Sequence, residues 1–400
     1  MRVRTMKISK YLNKLLIIPN NMKNVIVLGA GMVGSAMAID MAKNHNVTLT
    51  DINQKTLQKI QSENQELQIL ELNVTDSAKL QEALTPFDLV ICAVPGFLGY
   101  QTLKTIIEAE KNVIDISFFS ENSLDLDVLA KEKKVTAIVD CGVAPGMDNI
   151  LLGYHNEKMK ISTFECLVGG LPKVKKWPFS YKAPFSPVDV IEEYTRPARY
   201  VENGIEIVRE PLTDCEYIEF DKVGTLESFN SDGLRSIIHT MPHIPNMKEK
   251  TLRYPGHVEY VRVLKESGFF SETPLEINGS EISPLQFTSE VLFKEWKLEE
   301  TEEELTVMRI TISGKNEQGQ QEEITYDLYD EYCAETQTSS MSRTTGYTAT
   351  AAANMFLNGL FKEKGVFPPE LVGKYEDCTH FILDYLKERN IFYVKTSRLI

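Results

Sequence analysis

Ten residues near the start of the chain indicate how it folds: Val25-Ile-Val-Leu-Gly-Ala-Gly-Met-Val-Gly34. The apolar run is typical of a buried parallel strand, and the glycines predict a tight turn into a helix. In such a turn the first glycine permits the bend and the second lets the backbone approach a pyrophosphate. The third lets the helix pack closely on the strand. Glycines also mark ordinary turns, so the motif needs support from its surroundings.

An acidic residue supplies that support. Asp51 ends the next predicted strand, 47–51, where a carboxylate can accept hydrogen bonds from the ribose hydroxyls of adenosine. It would repel a 2′-phosphate, and neither Ile52 nor Asn53 is an arginine that could hold one. We therefore expect NAD rather than NADP, with a solvated turn acid as the alternative for Asp51. The predicted cofactor contacts here are Gly29, Gly31, Met32, Val33, Gly34 and Asp51.

Strand and helix patterns alternate up to about residue 146. Further strands are predicted at 67–72, 88–94, 113–117 and 135–140, and helices at 35–42, 54–63, 77–84, 100–110 and 124–134. This order predicts an α/β fold, a Rossmann domain with a doubly wound parallel sheet over residues 22–146. Ligands of such sheets bind beyond the carboxyl ends of the strands. The predicted cofactor site therefore also includes Ala93, Val94, Pro95, Asp115, Asp140 and Pro145, although Asp115 and Asp140 could instead cap helices.

The pattern changes in residues 147–340. Strands are predicted at 161–168, 205–208 and 217–220, and a β-hairpin at 305–313 and 323–328, which indicates an α+β, mainly antiparallel domain. A helix is then predicted from Ala349 to Phe361, after Ser342-Arg-Thr-Thr345. Its first N–H groups, with Arg343 and Thr344, would suit a carboxylate; an ordinary capped helix is the alternative.

Composition narrows the class of protein. The chain has 400 residues, with 43 Lys and Arg against 57 Asp and Glu, and its formal net charge of -14 disfavours nucleic acid as a partner. The sequence has no apolar run long enough for a membrane helix, and its six cysteines are scattered without a CxxC pair, so a cytoplasmic protein is expected. No metal is expected, because Pro242 disfavours a helix that would pair His239 with His243. Residues 1–21 are basic and are interpreted as an extension outside the fold.

Several segments carry a family resemblance when taken in order. Gly29-Ala-Gly-Met-Val-Gly34, Asp140-Cys-Gly-Val-Ala-Pro-Gly-Met-Asp-Asn149 and Gly169-Gly-Leu-Pro172 resemble the saccharopine dehydrogenase superfamily. More narrowly, the chain is similar to the lysine 6-dehydrogenases in the segments Tyr194-Thr-Arg-Pro-Ala198, Leu226-Glu-Ser-Phe229, Lys250-Thr-Leu-Arg-Tyr-Pro-Gly-His257 and Ser342-Arg-Thr-Thr-Gly-Tyr347. The resemblance implies NAD-dependent oxidation of L-lysine at its ε-carbon, to allysine and 1-piperideine-6-carboxylate. It also implies a second domain used in contacts of a homodimer or larger homo-oligomer, and helices of residues 341–400 that return to complete the first domain.

One segment departs from the saccharopine-forming pattern. Where those proteins have an arginine after Ser-Pro, this chain has Ser180-Tyr-Lys-Ala-Pro-Phe-Ser-Pro187 followed by Val188. A glutamyl-lysine adduct carries an extra dicarboxylate, which a forked guanidinium grips well. The departure favours free lysine, while saccharopine or another secondary amine stays the alternative. A dinucleotide-binding redox sensor without turnover is the alternative of another class.

The proposed chemistry requires a base. A lysine ε-amine has a pKa of about 10.4, so a proton must leave before the carbon can give up a hydride. His239, His257 and Lys182 are the catalytic candidates, and the candidates for holding the substrate are Tyr181, Asn230, Asp232, Arg235, Arg343 and Thr344. For each of them a surface or packing role is the alternative.

Overall fold

The computed structural model describes residues 22–184, 187–299 and 302–400. The predicted extension, residues 1–21, lies outside this part, as do two residues of the segment that departs from the saccharopine-forming pattern, Phe185 and Ser186. The strands are β1 (Asn24–Leu28), β2 (Asn46–Asp51), β3 (Gln68–Glu71), β4 (Leu89–Cys92), β5 (Val113–Asp115), β6 (Thr136–Ile138), β7 (Met159–Pro172), β8 (Ala198–Glu202), β9 (Ile205–Arg209), β10 (Glu216–Phe220), β11 (Gly224–Asn230), β12 (Met247–Arg253), β13 (Leu275–Ile277), β14 (Ser280–Ile282), β15 (Glu304–Asn316), β16 (Gln321–Glu331), β17 (Gly365–Phe367) and β18 (Tyr393–Leu399).

The α-helices connect these strands and cover both sheets. They are α1 (Met32–Ala42), α2 (Gln54–Glu63), α3 (Ser77–Leu84), α4 (Gly96–Glu108), α5 (Asp127–Glu132), α6 (Met147–Asn156), α7 (Pro187–Thr195), α8 (Ile237–Thr240), α9 (His257–Glu266), α10 (Pro284–Trp296), α11 (Ser340–Leu357), α12 (Pro369–Gly373) and α13 (Glu376–Glu388). A 3-10 helix, Ser123–Leu126, leads into α5. Among the described residues no helix is both long and apolar enough to cross a bilayer.

The first sheet is parallel throughout, in the order β17-β6-β5-β4-β1-β2-β3. The strand order reverses at β1, which pairs with both β2 and β4, so the loops after these strands border a crevice. This confirms the predicted doubly wound sheet. The predicted strands 88–94 and 113–117 end earlier, at Cys92 and Asp115, and the predicted helix at 100–110 already begins at Gly96. The residues after these strands therefore form loops at the crevice.

The second sheet runs in the order β10-β11-β12-β7-β15-β16-β18, with β8 pairing to β12 and to β9. Its pairs are antiparallel except for β12 and β7, which are parallel. This confirms the predicted mainly antiparallel second sheet. The predicted hairpin is β15 and β16, and both strands are longer than the alternating pattern indicated.

The last part of the chain contributes to both sheets. β17 pairs with β6 in the first sheet, whereas β18 pairs with β16 in the second. The predicted helix start at Ala349 is wrong, because α11 begins at Ser340 and the Ser339 side chain accepts a hydrogen bond from the Ser342 N–H at 3.2 Å. The Thr344 hydroxyl donates to the Ser340 carbonyl at 2.9 Å. The Thr344 hydroxyl therefore has its hydrogen-bond partner within α11, and Thr344 does not lie before the first residue of the helix.

Candidate functional site

A cavity of about 530 Å³ is lined by residues of both sheets. One part, which we call the nucleotide end, consists of Gly29, Gly31, Gly34, Asp51 and Ala93 to Pro95. The other part, the substrate end, consists of Glu193, Asp232, Glu249, Thr251 and Arg253. The cavity therefore joins the crevice of the parallel sheet to side chains of the antiparallel sheet, as expected for a ligand site at a switch point.

At each glycine of the nucleotide end, a different steric constraint explains why the residue has no side chain. Gly29 has φ +103°, and a Cβ there would lie 2.5 Å from the Ala93 carbonyl oxygen. A Cβ on Gly34 would lie 2.0 Å from the Gly29 carbonyl oxygen, so only glycine lets α1 pack against this turn. A Cβ on Gly31 would meet nothing within 4 Å, because this position faces the cavity. The open space at the start of a helix fits a pyrophosphate.

The carboxylate of Asp51 is held in a fixed orientation at the end of β2. One oxygen accepts a hydrogen bond from the Ala30 N–H and the other from the Asn53 N–H, both at 2.9 Å. The next side chain, Ile52, is 69% exposed. This geometry leaves an oriented anion on the cavity wall, which fits the hydroxyls of an unphosphorylated ribose.

The structure brings all but one of the predicted cofactor residues to the cavity wall. Those that line it are Gly29, Gly31, Met32, Val33, Gly34, Asp51, Ala93, Val94, Pro95, Asp140 and Pro145. Asp115 is the exception and corrects the prediction: it is completely buried, and its carboxyl accepts a hydrogen bond from the Ser117 hydroxyl at 2.9 Å. Burial raises its pKa to about 7. Asp140 lines the cavity and also forms an ion pair with Arg235 at 3.0 Å.

The substrate end is organised by β12. Alternate residues of a strand face the same side, so Glu249, Thr251 and Arg253 all line the cavity. The guanidinium of Arg253 is almost completely buried and donates to the Glu193 carboxylate at 2.8 Å. It also donates to the Tyr194 hydroxyl at 3.2 Å. Burial raises the pKa of Glu193, and the charge of Arg253 opposes this.

None of the three predicted catalytic residues lines the cavity. His257 is buried behind it, where Nδ1 donates to the Phe179 carbonyl at 3.0 Å and Nε2 accepts from the Tyr194 hydroxyl at 2.9 Å. Burial lowers its pKa to about 3, so the ring is neutral and serves as a structural link. His239 is exposed on α8, and the Lys182 ammonium donates to the Glu295 carbonyl at 2.6 Å. The structure thus corrects these assignments.

The predicted substrate contacts separate into two groups. Near the cavity lie Asp232, which pairs with Arg199 at 2.9 Å, Arg235, which pairs with Asp140, and Tyr181, whose ring lies 4.5 Å from the Arg253 guanidinium. The other three predicted contacts lie away from the cavity wall, so the structure corrects them. Asn230 donates hydrogen bonds to Thr213 and Asp214. Arg343 forms an ion pair with Asp330 at 3.0 Å, and Thr344 lies within α11.

Sequence reasoning missed Glu193, Glu249 and Arg253. The available signal was the alternation of polar side chains, Glu249, Thr251 and Arg253, in a segment that reads as a strand. Such a pattern is also typical of a solvated sheet face. Only the packing of α7 and the loop after β11 over this face shows that the face is enclosed.

The described residues contain no group of three or more His, Cys, Asp or Glu side chains that could hold a metal ion. His243, which the sequence had raised as a partner for His239, instead contacts the Asn156 side-chain oxygen at 2.7 Å through Nε2. The described cysteines are free thiols.

Comparisons with known proteins cover most of the chain. The family model of the saccharopine dehydrogenase NADP binding domain matches residues 25–138, and that of the saccharopine dehydrogenase C-terminal domain matches residues 142–391. The NADP(+)-dependent, L-glutamate-forming saccharopine dehydrogenase of Pyricularia oryzae is 27% identical over 62% of this chain and 58% of its own length. The chain therefore spans about three fifths of this relative.

Two further similarities extend over more of the related protein's length. Carboxyaminopropylagmatine dehydrogenase of Synechocystis is 25% identical over 87% of this chain and 92% of its own. The solved structure of the L-Glu-forming saccharopine dehydrogenase of Saccharomyces cerevisiae superposes with a TM-score of 0.76 at 21% identity, covering 94% of this chain and 100% of that one. This structural likeness shows that the two chains share a fold.

Proposed function

Because the chain belongs to the saccharopine dehydrogenase family, we propose that it is a pyridine-nucleotide-dependent oxidoreductase acting on a carbon–nitrogen bond of an amino acid. The finer proposal is oxidative deamination of L-lysine at the ε-carbon with NAD. The observation that carries it is the single cavity that joins the glycine turn and Asp51 to the buried charges of β12.

The bound nicotinamide would supply the acceptor for the hydride that leaves the substrate carbon. The residues of this chain have three tasks: to hold the amino acid, to remove the ammonium proton and to keep bulk water from the reacting carbon. Arg253 is the cavity-lining cation in contact with the aromatic rings of Tyr181 and Tyr194, and we place the substrate carboxylate at this guanidinium. Water then hydrolyses the imine to an aldehyde and ammonia.

The charge of the cavity supports a cationic substrate. Beyond the nucleotide end, the described lining residues include the cations Arg196 and Arg253 and a larger number of acids, Asp140, Asp189, Glu192, Glu193, Asp232 and Glu249. Free lysine is a net cation near neutral pH, whereas saccharopine is a net anion. An acidic cavity favours the former.

The surroundings of Asp51 support NAD. Its oriented carboxylate would repel a 2′-phosphate bound at this turn, and the exposed Ile52 offers no charge to balance such a phosphate. The family model is named for NADP and the fungal relative is named as an NADP(+) enzyme, so the cofactor preference is a point on which this chain is proposed to differ.

The names of the relatives favour a second candidate, oxidation of a secondary amine such as saccharopine. One spectrophotometric experiment separates the possibilities. The purified protein is mixed with NAD or NADP and with L-lysine, saccharopine or 1,5-diaminopentane, and the absorbance band of the reduced nicotinamide is followed at alkaline pH. We expect reduction with L-lysine and NAD. Reduction with saccharopine alone would replace the lysine proposal, and no reduction with any amine would support a redox sensor.

A further inference from the structure

One carboxyl group of the cavity is buried without the hydrogen bonds that such a group normally has. Glu249 is 4% exposed and lines the cavity, yet its Oε2 finds no hydrogen-bond partner among the described residues. A buried polar atom of this kind is costly for the fold and requires an explanation, and a catalytic role is one such explanation. The side chain is also tightly held, because a Cβ on Gly233 would lie 1.8 Å from Oε2.

The surroundings of Glu249 are built mostly from acids. Asp148 of α6, Glu193 of α7 and Asp232 of the loop after β11 face it, and each raises its pKa, while Arg235 of the same loop lowers it. On the neighbouring strand, Cys166 lies opposite in the β12–β7 register. Burial is the largest cause, and the pKa of Glu249 is well above its ordinary value. A carboxylate in this position is therefore a much stronger base than a carboxylate in water.

We propose that Glu249 is the catalytic base that takes the proton from the substrate ammonium before the carbon is oxidised. The inference rests on the proposed function. In this step an N–H bond of the ammonium breaks and an O–H bond forms at Oε2, with no change in oxidation state. An ammonium and a carboxylate enclosed together away from water favour the uncharged pair, since burial disfavours both charges. The product is the neutral amine, whose lone pair can stabilise the iminium as the oxidised pyridine nucleotide accepts the hydride.

The other acids of the substrate end are less suited to this role. Glu193, Asp232 and Asp140 are already engaged by Arg253, Arg199 and Arg235, so their carboxylate oxygens are less available to the substrate ammonium. Asp189 is in the first turn of α7, and its Oδ1 approaches the start of α4, 3.3 Å from where a Cβ on Gly96 would lie. A helix N-terminus also stabilises a negative charge.

The positions of Glu249 and Arg253 on β12 also determine how a substrate would be oriented. Glu249 and Arg253 are four residues apart on one face of a strand, which separates their Cα atoms by about 13 Å. An amino acid held by its carboxylate at Arg253 would thus present an amine at the far end of its side chain to Glu249, rather than its α-amine. The geometry selects ω-amines.

The test compares Glu249→Gln with Glu165→Gln. Glu165 lies on β7 beside Cys166, pairs with Lys248 and does not line the cavity, so it is a matched control. Glu249→Gln is expected to lower kcat near neutral pH by about 10²–10⁴-fold, with NAD binding by calorimetry unchanged. The loss should shrink towards pH 10, where the amine loses its proton unaided. Unchanged kcat and an unchanged pH profile in Glu249→Gln would overturn the assignment.

Two further variants separate catalysis from structural damage. In Glu249→Ala, added formate is expected to restore part of the rate, which would not happen if the glutamate only supported the fold. In the wild type, kcat/KM should rise with pH through the pKa of Glu249, above the ordinary range of a glutamate. Asp148→Asn removes the acid that faces Glu249 from α6 and should move this rise to lower pH. No shift and no rescue would count against Glu249, whereas a wild-type protein inactive with every amine would refute the proposed function itself.

Discussion

The nucleotide end and the substrate end of the cavity are assembled in opposite ways. The nucleotide end comes from loops after three neighbouring strands of one sheet, and its main contacts span only Gly29 to Gly34, Asp51 and Ala93 to Pro95. The substrate end takes one residue each from α7 and the loop after β11, and three from β12. Backbone shape defines the first end, whereas buried charge pairs define the second. Substitutions that fill the open space of the nucleotide end should therefore affect binding, and those that break a charge pair of the substrate end should affect stability.

The largest effect is expected at the substrate end. Arg253→Met leaves the half-buried Glu193 carboxylate without its arginine partner, and we expect the free energy of unfolding to fall by about 3 kcal/mol at neutral pH. The loss should shrink as the pH falls, because protonated Glu193 carries no charge. Urea titrations at two pH values measure this. The double variant Arg253→Met, Glu193→Gln should recover part of the stability, and no recovery would mean that the ion pair is not the cause.

At the nucleotide end, Gly31→Val is expected to weaken NAD binding by about 100-fold or more, equivalent to about 2.7 kcal/mol. Its side chain enters the space that the pyrophosphate needs, while the fold has room for it. Thermal unfolding should therefore be unchanged. Gly34→Ala is the contrast, because its Cβ would lie 2.0 Å from the Gly29 carbonyl oxygen and should lower the melting temperature. NAD binding is measured by calorimetry, and an unchanged NAD affinity of Gly31→Val would contradict the proposed role of this glycine.

The neutral ring behind the substrate end should make stability depend on pH. With a pKa of about 3 when folded and about 6.5 when unfolded, His257 costs stability as the pH falls below 6.5, since the unfolded chain takes up the proton first. His257→Gln can keep both hydrogen bonds but cannot be protonated. Between pH 7 and pH 4 this variant is expected to lose about 3 kcal/mol less than the wild type, measured by urea unfolding. Parallel curves for the two proteins would show that His257 is not the responsible group.

The smallest effect is expected at the edge of the nucleotide end. Asp51→Ala should weaken NAD by about tenfold, or about 1.4 kcal/mol, while changing NADP binding much less. The reason is the loss of an oriented acceptor for the ribose hydroxyls. Glu71→Ala is the matched control, because Glu71 ends the neighbouring strand opposite Asp51 but does not line the cavity. Equal affinity of Asp51→Ala and the wild type for NAD would remove the basis for the cofactor proposal.

The sequence predicted the order of strands and helices in the first sheet well, because buried parallel strands are short apolar runs with clear boundaries. It misplaced the start of α11 by nine residues, because the residues before Ala349 are polar and were assigned to the cap. It did not show that β18 returns to the second sheet, since an exposed strand pairs according to the edge it finds. The first error arises from local composition, whereas the second concerns a contact that is distant along the chain.

In the site too, the sequence indicated the features that depend on local backbone and missed those that depend on packing. Glycine spacing and a single acid at the end of β2 were enough to indicate a dinucleotide turn, because that contact is made by local backbone and needs few residues. Histidines were chosen as bases for their ordinary pKa, but the fold buried His257 behind Tyr194 and left His239 on the surface. Enclosure of Glu249 and Arg253 exists only after α7 and the loop after β11 cover β12. Burial and charge pairing are properties of packed neighbours, so no pattern along the chain can reveal them before the two sheets come together.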